Sequence, residues 1–100
     1  MKHVFDVNGN QATVALAGKL YAHDAGELRD ELLAAIERGV IHIRFDLAGL
    51  QYIDSSGLGV LVTIHKRTGE RNGGLVLTGV QGMAAEILKR TRLDRVLHIE

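Results

Sequence analysis

The segment Tyr52-Ile53-Asp54-Ser55-Ser56-Gly57-Leu58-Gly59-Val60-Leu61 sets a carboxylate and two hydroxyls side by side, directly ahead of an apolar pattern with helical spacing. Asp and Ser are good helix N-caps, because their oxygens accept bonds from the first free backbone N–H groups. Capping accounts for one such group and leaves two features over. Two hydroxyls stand where one cap suffices. Gly57 and Gly59 lie inside the first turns, although a helical glycine costs about 1 kcal/mol relative to alanine. Small residues keep a surface flat, so the backbone of another protein can come close. A helix start also carries free N–H groups and positive potential, and so tolerates a phosphate. A phosphoryl group on Ser55 or Ser56 would add nearly two negative charges beside Asp54. The helix dipole offsets part of that repulsion within the fold, whereas a partner surface shaped for a neutral hydroxyl has no such offset. The chemistry this pattern suits is a switch that acts on binding without unfolding the protein.

Other chemistries fit less well. The histidines stand at 3, 23, 42, 65 and 98, and none forms a ligand pair on one helix face. His65 falls on an apolar helical stripe and reads as a packing residue. His42, Arg44 and Asp46 share one strand face, which reads as a solvated sheet surface. Cysteine is absent, which excludes disulfides, thiolate catalysis, zinc fingers and iron–sulfur sites. Neither serine sits in a Gly-x-Ser-x-Gly elbow, and Gly57-Leu58-Gly59 follows the serines inside a helix, where it makes no oxyanion loop. Gly57 and Gly59 also lack the third glycine and the acid of a dinucleotide fingerprint, and no Gly-Lys-Ser/Thr phosphate loop occurs. Arg67, Arg71, Arg90, Arg92 and Arg95 read as charges suited to helix C-termini. The expectation is a binding module with no catalytic residue, no metal and no cofactor.

The elements that must hold Asp54 and Ser55 follow from patterning. One hundred residues with 46% hydrophobic and 24% charged side chains fit one globular domain, taken as 1–100. Twelve basic residues balance twelve acidic ones, which argues against a general nucleic-acid or anionic-membrane binder. No apolar run approaches the roughly 20 residues that span a bilayer, and the N-terminus lacks a signal-peptide core. A cytoplasmic protein is expected.

Phe5 and Val7 alternate with polar neighbours, Asn8-Gly9 marks a two-residue turn, and Ala12, Val14 and Leu16 alternate on the way back, with Gly18 ending the hairpin. Asp24 with Glu27 resembles a capping box for a first helix carrying Leu28, Leu32, Leu33 and Ile36, stopped by Gly39. A strand over Val40–Leu47 puts Ile41, Ile43, Phe45 and Leu47 on one face. After a polar break, Asp54 opens a second helix to about Thr68. Leu75–Leu77 make a short strand, Met83, Ile87 and Leu88 mark a third helix ending near Leu93, and Arg95–Glu100 add a last strand. This order, β-β-α-β-α-β-α-β, gives an α/β domain. Its mixed sheet has about five strands, and about three helices pack mainly on one face.

Asp54-Ser55-Ser56-Gly57-Leu58-Gly59-Val60 resembles the signature of STAS domains of the anti-sigma factor antagonist kind. Leu16-Ala17-Gly18-Lys19-Leu20, Ile43-Arg44-Phe45-Asp46-Leu47 and Leu77-Thr78-Gly79-Val80 resemble other stretches of that family, so the likeness runs over nearly the whole chain. It implies that Ser55 is a phosphorylation site and that Asp54 helps dock the partner and orient Ser55. Ser56 would cap the helix or touch the partner, and Gly57, Leu58 and Gly59 would form the docking surface. It further implies an anti-sigma factor serine kinase that binds the unphosphorylated form, frees its sigma factor and phosphorylates Ser55, and a PP2C-type phosphatase that resets it. The family often has Gly-Glu-Leu-Asp where this chain has Gly18-Lys19-Leu20-Tyr21. Lys19, Tyr21 and His23 therefore belong to a partner-binding edge of altered charge. Relatives commonly carry a further C-terminal helix, whereas this chain stops at Glu100; its absence would leave sheet surface exposed or covered by a partner, and a homodimer is one form of that. The other expectation the resemblance allows is a structural STAS subunit of a lipid-transport ABC complex or a stressosome-like scaffold, without a phosphorylation switch.

Overall fold

Alternating apolar residues on successive strands demand one covered and one open sheet face, and the computed structural model shows that sheet. It describes residues 2–100; Met1, the first residue of the expected domain, lies outside them. The elements are β1 (Lys2–Asn8), β2 (Gln11–Leu20), α1 (Ala22–Glu37), β3 (His42–Ile53), α2 (Ser55–Glu70), β4 (Gly74–Thr78), α3 (Gly82–Arg90) and β5 (His98–Ile99), with one 3-10 turn at Leu93–Arg95. The sheet runs in the order β1-β2-β3-β4-β5. The opening hairpin is antiparallel, and every later neighbour is parallel. The mixed five-stranded sheet inferred from element order is therefore the one observed.

Val14, Leu16, Phe45, Leu47 and Leu77 point from the strands into the core, and Leu28, Leu32, Leu61, Ile64 and Leu88 meet them from the three helices. His42, Arg44 and Thr13 stand exposed on the other side. A strand buried on one face alternates in this way, whereas one buried on both reads as continuously apolar.

Several boundaries differ from the expectation, each for a local reason. The hairpin turn is Gly9-Asn10 rather than Asn8-Gly9, since Asn8 pairs with Gln11. Gly9 has φ +64°, and the positive φ at the first central position suits a type II′ turn. Gly18 does not end β2; it sits at a register shift against β3, and the strand continues to Leu20. β3 begins at His42 rather than Val40 and runs through the polar stretch after Leu47 to Ile53. There the Ala48 N–H donates to the Asp46 side chain at 3.0 Å, and Leu50 and Ile53 return to the core. The Asp24–Glu27 capping box does not form. α1 starts at Ala22, with Tyr21 in the cap position and no side-chain cap of its own. α3 ends at Arg90, and the expected last strand shrinks to His98–Ile99.

Candidate functional site

Adjacent parallel strands that both lead into helices bring two helix starts together at one end of the sheet. Leu20 and Ile53 are register partners at the ends of β2 and β3, so α1 and α2 begin side by side. The Asp54 N–H donates to the Leu20 carbonyl at 3.1 Å, which ties the two junctions through the backbone.

The Asp54 carboxylate joins them a second time. Its backbone is extended, with φ −93° and ψ −177°, as an N-cap requires. Oδ1 accepts from the Gly57 N–H at 3.0 Å within α2. Oδ2 accepts from the Ala22 N–H at 3.1 Å at the start of α1. One half-buried carboxylate therefore caps both helices, and α1 needs no cap from its own sequence. An anion between two positive helix ends is favoured at each of them.

With Asp54 supplying the cap, neither serine is needed for it. Ser55 and Ser56 are both exposed at the helix start, where the first amides have no intrahelical acceptor. Sequence pattern could not say whether a serine or Asp54 supplies the cap; in the structure the cap bonds go to Asp54 and both serines are exposed.

The two glycines divide sharply. A Cβ on Gly57 would lie 2.6 Å from Ile53 Cγ1 and 2.9 Å from Leu20 Cδ2. Gly57 is buried, and its lack of a side chain lets α2 start hard against the ends of β2 and β3. Leu58 is 9% exposed and belongs to the core. Of the three residues expected to form a docking surface, Gly57 and Leu58 are taken up by packing and Gly59 alone is exposed. Gly59 is exposed and a Cβ there would meet nothing within 4 Å. It helps floor a groove of about 320 Å³ between the first halves of α1 and α2, with Ala22, Gly26, Arg29, Ser56 and Thr63. A Cβ on Gly26 would also meet open space. Gly26 and Arg29 were not singled out from sequence, since a single glycine in a helical run carries no pattern until its neighbour across the groove is known.

Lys19, Tyr21 and His23 are exposed around the β2–α1 junction. Tyr21 packs on Tyr52, with ring centroids 5.6 Å apart, and stacks on His23 at 6.5 Å. Lys19 is the register partner of Tyr52. Tyr52 opens the segment singled out from sequence but received no role there, because the strand was read as ending at Leu47 and its ring partner Tyr21 lies at the β2–α1 junction. His65 is half-buried along α2, in keeping with packing. Arg67 and Arg90 pair with Glu70 and Glu86 on their own helices. Arg71 donates to the Ile36 carbonyl at 2.8 Å and lies 3.9 Å from Glu37. These three arginines are spent on helix ends. Among the described residues no group of three His, Asp or Glu side chains gathers as metal ligands.

The family model of the STAS domain matches residues 4–100. The chain is a STAS domain. Among relatives of this STAS domain, the anti-sigma-B factor antagonist of Listeria monocytogenes is 30% identical over 88 residues, covering 87% of this chain and 76% of the relative. The protein of the same description in Bacillus subtilis is 30% identical over 92 residues, covering 92% of this chain and 84% of the relative. The fold is also that of SpoIIAA, an anti-sigma factor antagonist and Bacillus cell-fate determinant. Its unphosphorylated form superposes with a TM-score of 0.83 at 19% identity, covering 99% of this chain and 87% of that one. Its phosphorylated form gives 0.80 at 18% identity, covering 99% and 91%. No helix of this STAS domain, among the described residues, is long and apolar enough to cross a membrane.

Proposed function

We propose that this STAS domain is an anti-sigma factor antagonist controlled by phosphorylation of Ser55. In this reading the unphosphorylated protein binds an anti-sigma factor serine kinase in the cytoplasm and frees a sigma factor. Transfer of phosphate to Ser55 ends the binding, and a PP2C-type phosphatase restores it. The domain catalyses nothing itself. The observation that carries the reading is the division of labour at the start of α2: Asp54 takes both caps and leaves the Ser55 hydroxyl exposed and free to react. The Listeria and Bacillus relatives described as anti-sigma-B factor antagonists support the partner class.

The docking surface is the groove floored by Ser56, Gly59 and Gly26, flanked by Lys19, Tyr21 and His23. Phosphate on Ser55 adds nearly two negative charges at its rim. The two helix starts tolerate that charge better than an opposing protein surface does, so the fold persists while the complex separates.

The test is incubation of the purified protein with the anti-sigma-type serine kinases of its own genome and ATP, with the modified residue mapped by mass spectrometry. Phosphate on Ser55, absent from Ser55→Ala, is the expected result. Phosphate on Ser56 alone moves the switch by one residue. If none of those kinases binds or modifies the protein, the antagonist reading falls, and a structural STAS subunit of a transporter complex or scaffold takes its place.

A further inference from the structure

The two edges of the sheet are unequal. β5 is only His98–Ile99, whereas β1 offers the seven residues Lys2–Asn8. An edge strand presents a row of backbone N–H and C=O groups to any strand that can pair with them, and natural proteins shorten, bend or charge such edges. β1 is neither short nor bulged: it pairs with β2 in unbroken register from Lys2↔Ala17 to Asn8↔Gln11. Val4 on this strand is 68% exposed, the highest value among the large hydrophobic side chains described, and Val7 is 46% exposed.

The charges on β1 are arranged about Val4. Lys2, Val4 and Asp6 share the face of the sheet that no helix covers, opposite Ala17, Ala15 and Thr13 of β2. The strand is therefore +, apolar, − along that face. If a second β1 lies antiparallel with Val4 opposite Val4, each Lys2 falls opposite an Asp6 and each His3 opposite a Phe5. The backbone supports the same register. A two-residue hairpin closes on a hydrogen-bonded pair, here Asn8 and Gln11, so the even-numbered residues of β1 bond inward to β2 and the odd-numbered ones face out. With Val4 at the centre, outward-facing His3 and Phe5 bond each other across the twofold axis. Val4–Val4 and Lys2–Asp6 become the closer, non-hydrogen-bonded pairs. The neighbouring register centred on Phe5 instead sets Val4 against Asp6 and leaves Lys2 opposite Asn8.

We propose that β1 is a self-pairing edge, and that two copies of this chain join antiparallel through Lys2–Asp6 and a central Val4–Val4 contact into one continuous sheet. The interface is isologous, as a twofold dimer requires. It lies on the strand farthest from β4 and leaves the α1–α2 groove open on both copies, so it rests on no assumption about Ser55.

Sedimentation of the full chain from micromolar to millimolar concentration tests this, with Lys2→Asp, Val4→Lys and the charge swap Lys2→Asp with Asp6→Lys. Within one protomer Lys2, Val4 and Asp6 lie opposite Ala17, Ala15 and Thr13, and Lys2 and Val4 share an exposed hollow with Asp46 and Gly49. None of the three belongs to the core, so each variant should stay folded, which its melting profile checks. The wild type should show a concentration-dependent dimer. Lys2→Asp should weaken it about tenfold, as two attractive cross-strand pairs become repulsive, and Val4→Lys should abolish it. The double swap should restore it, which only this register provides. A monomer throughout, a dimer indifferent to Val4→Lys, or a double swap no better than Lys2→Asp would each overturn the proposal.

Discussion

Asp54 carries two structural duties with one carboxylate, and this can be measured apart from any partner. Replacement by alanine leaves the Gly57 and Ala22 N–H groups without their acceptor. The expected loss is about 1–3 kcal/mol, the sum of two caps, read as a shift in the urea midpoint with unchanged slope. Asp54→Asn should cost less: its remaining oxygen still serves Gly57, while its amide opposes the Ala22 donor. The two glycines should respond in opposite directions. Gly57→Ala forces a methyl into Ile53 and Leu20 and should cost about 1–3 kcal/mol. Gly59→Ala meets open space and should stabilise the isolated domain by up to about 1 kcal/mol, while weakening partner binding by filling the groove. This split was hidden in the sequence. The Asp54-Ser55-Ser56 run announces a helix start and a modifiable hydroxyl, yet nothing in Gly-Leu-Gly says which glycine faces Leu20 and which faces solvent.

At the scale of elements, alternation and helical spacing were enough to place every strand and helix, and the errors fell at their ends. β3 was cut short at Leu47 because Ala48, Gly49 and Gln51 look like a break; they continue the strand beyond the last rung shared with β4, where only β2 still pairs with β3. The start of α1 was misplaced for a different reason. Its cap comes from Asp54, 32 residues downstream of Ala22, and a local capping rule cannot see a donor–acceptor pair made by two strands lying side by side. β5 offers a further test of an element held by few contacts. Arg44 donates to Glu100 at 2.9 Å, and that hydrogen bond and charge hold the Glu100 carboxyl below its usual value. A carboxyl lowered by folding contributes stability that is present above the ordinary carboxylate range and lost as pH falls through its folded value. Protection factors at His98 and Ile99, corrected for the intrinsic pH dependence of amide exchange, should therefore fall on acidification below that range. Glu100→Gln should show lower protection at neutral pH and lose the acid step.

For the whole molecule, the sheet separates two surfaces. The α1–α2 side holds Ser55 and the small-residue groove; the far edge holds β1 and the open face. The fold class was legible from element order alone, because strand–helix–strand repeats enforce parallel neighbours. The groove was not, since it exists only once Gly26 and Gly59 are set across from each other on separate helices. The measurement that bears most directly on the account is titration calorimetry of the cognate anti-sigma factor with two preparations of this domain, one unmodified and one phosphorylated at Ser55. The account predicts that the unmodified domain binds and that phosphate on Ser55 weakens binding by about a hundredfold or more, with the domain still folded. Equal affinity of the two forms would contradict it.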